Sequence, residues 1–186
     1  DNTGSIKQNY DGVPNTGFTG KNRASLKQTG DWNEGELVQN GYRSEIRVTQ
    51  AGDGKAVDTS KVFVNQLEGA HVALALVVQG HTSKNGYVLI NQFGDQSSAG
   101  SGVSNDKNSV NVTQRGDTNH AEVQQGGVDN YAVVVQSGDD TTSLISQNVG
   151  TGSTADVFQS ADNAWSSVTQ AGAGGHTATV TQGTRP

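Results

Sequence analysis

The chain contains no cysteine and no methionine, and its 186 residues include only two prolines and two tryptophans. Without cysteine neither a disulfide framework nor a thiolate metal site is possible, so stability has to come from non-covalent contacts. Apolar residues are 31% and aromatics 5%, too few for a thick globular core, yet charged residues are only 16%, fewer than a solvated disordered chain carries. A thin stack of strands accommodates that composition. The net charge is −6, and no basic patch is present to replace counterions on phosphate, which argues against nucleic acid as the main partner. The longest apolar run, from Val72 to Val78, is about a third of what a membrane-spanning helix needs, so no membrane insertion is expected. Position 1 is Asp, not Met, and a processed form from which an export signal has been removed is the expectation.

Catalytic signatures are missing as well. There is no GxSxG, P-loop, GxGxxG, HExxH or EF-hand loop. His71, His81, His120 and His176 lie in different segments without ligand spacing. Asp139 and Asp140 could bind calcium weakly, but carboxylates in a turn ordinarily face water, and no calcium-binding nonapeptide repeat accompanies them. We therefore expect no catalytic residue, no metal and no cofactor. An enzyme is not expected, since acid–base and nucleophilic sites need a concave, preorganised pocket.

What the chain does have is a repeat. From Asn108 to Gln147 it reads NSVNVTQ, RGDT, NHAEVQQ, GGVD, NYAVVVQ, SGDD, TTSLISQ: seven-residue arms joined by four-residue links, a period of eleven. The same arm closes on Gln8, Gln28, Gln39, Gln50, Gln66, Gln79, Gln92, Gln114, Gln125, Gln136, Gln147, Gln159, Gln170 and Gln182, leaving only Gln96 and Gln124 of the sixteen glutamines outside the series. Most arms open on a small polar residue, among them Asn2, Asn22, Asn33, Asn108, Asn119 and Asn130. A fixed period of this kind signals stacked units that cannot bury their apolar face alone.

Side chains alternate along a strand, so the third and fifth positions of an arm share a face with its two ends. Those positions are small or β-branched, as in Val110 and Val112, Ala121 and Val123, Ala132 and Val134, while the intervening positions are mostly polar. This is the half-buried strand pattern, bracketed by amides. Burying an amide without a partner is costly. Stacking the same amide in successive rungs, about 4.8 Å apart, removes that cost, because each side-chain carbonyl accepts from the next NH2. The links are expected to turn on Gly30, Gly41, Gly52, Gly94, Gly116, Gly127, Gly138 and Gly172, with glycine supplying positive φ.

The expected fold is all-β: a β-solenoid of two-strand rungs (β-arches), cross-β, with two facing parallel sheets and fourteen arms making about seven rungs. Residues 1–21 form an N-terminal segment with a possible first arm and an arc around Pro14, and 22–186 form the repeat domain. If alternate arms share a sheet, Arg23 falls beside Glu45, and Glu34 or Glu36 beside Lys61. The stretch 93–107 is read as a loop, the other reading being a degenerate arm over 97–103. Leu74, Leu76 and Val78, and more weakly Tyr131, Val133 and Val135, are apolar at outward positions. Such a patch marks a surface for lateral filament association, unless an inserted loop covers it. Arg115-Gly116-Asp117 is read as an ordinary link, not an adhesion motif. Thr177, Thr179 and Thr181 line one outward face, which suggests an ice-binding array only if neighbouring arms repeat it.

The string N-x5-Q-x-G-x2-N-x5-Q, present from Asn22 to Gln39 and from Asn108 to Gln125, resembles the curlin repeat of the curli subunits of bacteria. The resemblance runs from Asn22 to Gln182, with Ala73, Gly86, Ala164 and His176 departing at the arm-opening position. It implies secretion across the outer membrane as an unfolded chain through a dedicated apparatus and nucleation at the cell surface by a minor subunit. It also implies growth into extracellular functional amyloid of the biofilm matrix, with the chain itself as main partner. The alternative reading is a monomeric β-solenoid surface adhesin or ice-binding module.

Overall fold

The computed structural model describes residues 2–8, 23–30, 32–39, 45–51, 60–66, 73–80, 86–92, 108–148, 152–172 and 174–183. Every arm that closes on a series glutamine is a strand. In chain order they are β1 (Thr3–Gln8), β2 (Arg23–Thr29), β3 (Glu34–Gln39), β4 (Glu45–Ala51), β5 (Lys61–Gln66), β6 (Leu74–Gln79) and β7 (Tyr87–Gln92). There follow β8 (Ser109–Gln114), β9 (His120–Gln125), β10 (Tyr131–Gln136), β11 (Thr142–Gln147), β12 (Thr154–Gln159), β13 (Trp165–Gln170) and β14 (Thr177–Gln182).

Odd strands form one seven-stranded parallel sheet and even strands another, each in strict sequence order. Two consecutive strands therefore make one rung, and the fold is a β-solenoid with no closed barrel. Register is constant throughout: glutamine stands beside glutamine in every pair, as in Gln92 beside Gln125 and Gln136 beside Gln159. A slip of one residue would turn every buried side chain to solvent, so the alternation fixes the register. The segment 97–103 lies outside the described residues. Across it β8 pairs with β6 and β9 with β7, so the alternation between sheets passes unbroken. The first arm, least regular in sequence, is present as β1 and pairs with β3; the arc around Pro14 is outside the described residues.

The core is one line of small aliphatics between the sheets. Leu37, Ile46, Val62, Val64, Val88, Ile90, Val110, Val112, Val123, Val134 and Val157 are all fully buried. Each such Val, Leu or Ile contributes about 1.5–3 kcal/mol on burial. Near the first rung the two sheets interlock: ideal Cβ atoms on Gly4 and Gly35 would sit 2.8 and 2.9 Å from the Leu26 methyls, so Leu26 occupies the room those glycines leave. Leu26 reaching both strands places β2 at a height between β1 and β3, a half-rung stagger.

Outward charges follow the pairing. Glu34 lies beside Lys61 in register and binds it at 2.9 Å, and Lys7 binds Glu36 at 2.9 Å. Arg23 does neighbour Glu45 in register, but Glu45 takes Arg47 of its own strand at 2.6 Å. These are exposed pairs, each contributing on the order of 0–1 kcal/mol.

The links do not all turn as composition suggests. Gly30, Gly116, Gly127 and Gly172 have positive φ, while Gly138 does not; Gly41, Gly52 and Gly94 lie outside the described residues. Among the described residues a second left-handed position of the link falls on the residue before the next arm: it is Gly152, with φ of 72°, before β12, but Trp32, Thr118, Asp129, Asp140 and Asn163 elsewhere, with φ between 55° and 60°. Asp and Asn tolerate that region, whereas a β-branched Thr is strained there. Glycine at 116 and 138 answers to stacking as well. A Cβ at either would lie 2.6 Å from the backbone oxygen of the next link, Gly138 O and Ala161 O respectively.

Candidate functional site: the amide ladders and the open edges

Every arm closes on an inward glutamine because the closing position shares its face with the two aliphatic positions. The result is two unbroken amide columns. In the odd sheet Gln8 Nε2 donates to Gln39 Oε1 at 2.6 Å, Gln39 to Gln66 at 3.1 Å, and Gln66 to Gln92 at 2.9 Å. Gln92 then donates to Gln125 at 3.1 Å, Gln125 to Gln147 at 2.9 Å, and Gln147 to Gln170 at 2.8 Å. In the even sheet Gln28, Gln50, Gln79, Gln114, Gln136, Gln159 and Gln182 repeat the chain at 2.8–3.1 Å.

The direction is the same at every step: the lower amide donates and the upper accepts. Each column is thus a row of aligned dipoles: among the described residues nothing donates to the acceptor at its Gln8 or Gln28 end, and its Gln170 or Gln182 end presents the donor. Among the interior members exposure is 0–1%, so each amide depends wholly on its neighbours.

The remaining Nε2 proton crosses the core. Gln50 Nε2 reaches Glu34 O at 3.1 Å and Ser60 O at 3.0 Å, and Gln136 reaches His120 O at 2.9 Å and Thr141 O at 3.2 Å. The end of one strand therefore faces the beginnings of the two strands above and below it in the other sheet. Sequence periodicity does not reveal this bridge, because it arises from the half-rung stagger. One side chain ties its own sheet vertically and both sheets horizontally.

The arm-opening asparagines do different work. Asn119 and Asn130 donate through Nδ2 to the carbonyl four residues earlier, Arg115 O and Gly126 O, both at 2.7 Å, and Asn33 does the same to Thr29 O at 3.1 Å. That bond clamps the link shut. Their Oδ1 atoms, where the next rung offers a donor, accept its backbone N–H: Asn108 from Asn130, Asn119 from Thr141, and Asn130 from Ser153, each at 3.0 Å. Asn22 lies outside the described residues.

Links on one edge stack by carboxylate. Asp139 Oδ1 accepts from Asp117 N at 2.8 Å, and Asp162 Oδ1 from Asp139 N at 3.0 Å. The Arg115-Gly116-Asp117 tripeptide is part of this stack. Among the described residues no group of three or more His, Cys, Asp or Glu is placed to hold a metal ion, and no helix is long and apolar enough to cross a membrane. A shallow open depression lies beside Leu144 and Ser167 on the odd sheet.

Electrostatics add little. The hydrogen bond and charge of Glu34 hold the exposed Lys61 ammonium above its ordinary 10.5. Its folded value being raised, the pair's contribution is complete below pH 10.5 and fades only as pH climbs past the raised value.

Both ends of the stack are open among the described residues. β1 and β2 form one end and β13 and β14 the other, and each offers an unpaired strand edge in both sheets. β1, β2 and β14 are accordingly the strands whose inward positions are least buried. An unpaired edge is a template for another strand.

Two segments of the chain, 22–52 and 116–148, match the family model described as the curlin associated repeat. No curated protein and no solved structure matches the chain.

Proposed function

Taking as premise that this chain is a curlin-repeat family protein, we propose that it is a structural subunit that self-assembles head-to-tail into extracellular, curli-like amyloid fibres of a biofilm matrix, serving adhesion and surface colonisation. The observation that carries the reading is the chemistry of the two ends. The Gln8 and Gln28 acceptors at one end, to which nothing donates among the described residues, complement the donors on Gln170 and Gln182 at the other, and strand edges of the same parallel sense flank them. A second copy placed on top continues both sheets, with its β1 beside β13 and its β2 beside β14. Such a contact is heterologous and does not close, so it propagates as a filament.

A minor nucleating subunit and a secretion apparatus belong to this proposal as partners. The reading requires no cofactor, and the repeat architecture is that of a structural family, not of an enzyme. Thr177, Thr179 and Thr181 do form a row on β14, but their partners on β12 are Thr154, Asp156 and Phe158. The array an ice-binding surface needs is not repeated, and no observation favours that alternative.

The test is assembly of the purified chain alone. Thioflavin-positive fibres with a meridional reflection at about 4.8 Å are expected; protein that stays monomeric at high concentration would overturn the reading.

A further inference from the structure

The outer faces of the two sheets differ, and their middle columns are complementary at equal height. From β3 to β13 the middle outward positions of the odd sheet carry Glu36, Phe63, Leu89, Glu122, Leu144 and Ser167. From β4 to β12 those of the even sheet carry Arg47, Leu76, Asn111, Val133 and Asp156, so the apolar and charged match runs from β3 to β11 and ends at Asp156. Phe63, Leu89, Leu76, Leu144 and Val133 are each only half-buried, although they are apolar.

The stagger decides how these columns meet. Gln66 Nε2 donates to Glu45 O and Ala73 O, which sets β5 between β4 and β6; Gln92 donates to Leu74 O and Asn108 O, which sets β7 between β6 and β8. Leu76 on β6 therefore lies at a height between Phe63 on β5 and Leu89 on β7. By the same order Arg47 lies between Glu36 and Phe63, and Val133 between Glu122 and Leu144.

We infer that filaments of this chain pack side by side with the odd-sheet face of one copy on the even-sheet face of a second, at equal height and in the same direction. Leu76 then seats between Phe63 and Leu89. Arg47, which already holds Glu45 at 2.6 Å, gains Glu36 as a second carboxylate. Val133 packs on Leu144, and Glu122 meets the Asn111 amide. Because the middle of an arm faces the middle of its partner whichever way the strands run, the match does not depend on strand direction. Like faces brought together about an axis along the filament would set Arg47 on Arg47, or Glu36 on Glu36, and would add no opposite-charge contact between copies beyond the Lys7–Glu36 and Glu45–Arg47 pairs each copy already has. Complementary charge flanking an apolar centre is what specifies register in a contact between proteins. The inference rests on the filament reading above.

The chain has no cysteine, so single thiols report cleanly. Leu76→Cys and Leu89→Cys chains are assembled separately under reducing conditions, and the finished fibres are mixed and oxidised. Disulfide dimers in the mixture are expected to exceed those in either fibre alone by about fivefold or more. Equal cross-linking of Leu76→Cys fibres with themselves, or bundles in the mixture with no disulfide, overturns the inference. A second measurement covers loss of assembly by these variants: Leu76→Lys should reduce bundles to single filaments by electron microscopy, and adding Leu89→Glu should restore them. Bundling unchanged by Leu76→Lys, or not restored by Leu89→Glu, also overturns it. Failure of the unmodified chain to form fibres at all counts instead against the filament reading.

Discussion

Gln124 and Gln125 stand side by side in β9, yet alternation turns the first outward and seals the second in the ladder. Gln125 accepts from Gln92 and donates to Gln147 and Ser109 O, so truncation orphans groups on three strands. Each buried group left without a partner costs on the order of 1–3 kcal/mol. Gln125→Ala should therefore lower the guanidinium midpoint of fibre dissociation substantially, whereas Gln124→Ala, away from such features, should change stability by no more than about 0.5 kcal/mol. Equal midpoints for the two would show that the ladder carries no stability. The series of closing glutamines was legible in the sequence because periodicity of that kind needs no coordinates. What each glutamine does with its second proton was not, because that depends on the height of the opposite sheet.

Among elements, the strands were readable and the links only in part, through Gly30, Gly116, Gly127 and Gly172. A strand needs only alternation, and every arm supplies it. A link needs particular backbone dihedrals, and those are satisfied by residues as unlike as Trp32, Thr118 and Asp140 at one position, so composition conceals the requirement. Gly138 shows the converse: its presence suggested positive φ, but it is needed because the next link passes too close for a Cβ. Side-chain bonds within the links, such as Asp117 N to Asp139 Oδ1, join residues 22 apart in sequence and become visible only once the rungs are stacked. Contact across the core at Leu26 gives a test at this scale. Gly35→Ala overpacks against both Leu26 methyls at 2.9 Å, a change that costs about 1–3 kcal/mol. Combined with Leu26→Ala, that penalty should disappear, so a double-mutant cycle read by the same denaturation midpoint should show clear coupling. Additive effects would mean that Leu26 does not fill the space left by the glycine.

At the scale of the whole molecule, each rung is the template for the next, and nothing among the described residues distinguishes the addition of a rung from the addition of another copy. The dipole direction of the ladders, acceptor at the β1–β2 end and donor at the β13–β14 end, makes the two ends complementary and different. Extending the register observed between β12 and β14 by one step sets Ser25 of an incoming copy beside Thr179. Neighbouring strands lie about 4.8 Å apart, within the Cα separation that a disulfide spans. Within one chain these two residues sit on strands at opposite ends of the even sheet, so they cannot bridge intramolecularly. The decisive measurement is oxidation of fibres grown from the Ser25→Cys/Thr179→Cys variant, followed by denaturing electrophoresis. End-on growth in this register predicts a ladder of covalent dimers, trimers and longer multimers; fibres that dissolve to monomer, or stop at dimer, would contradict it.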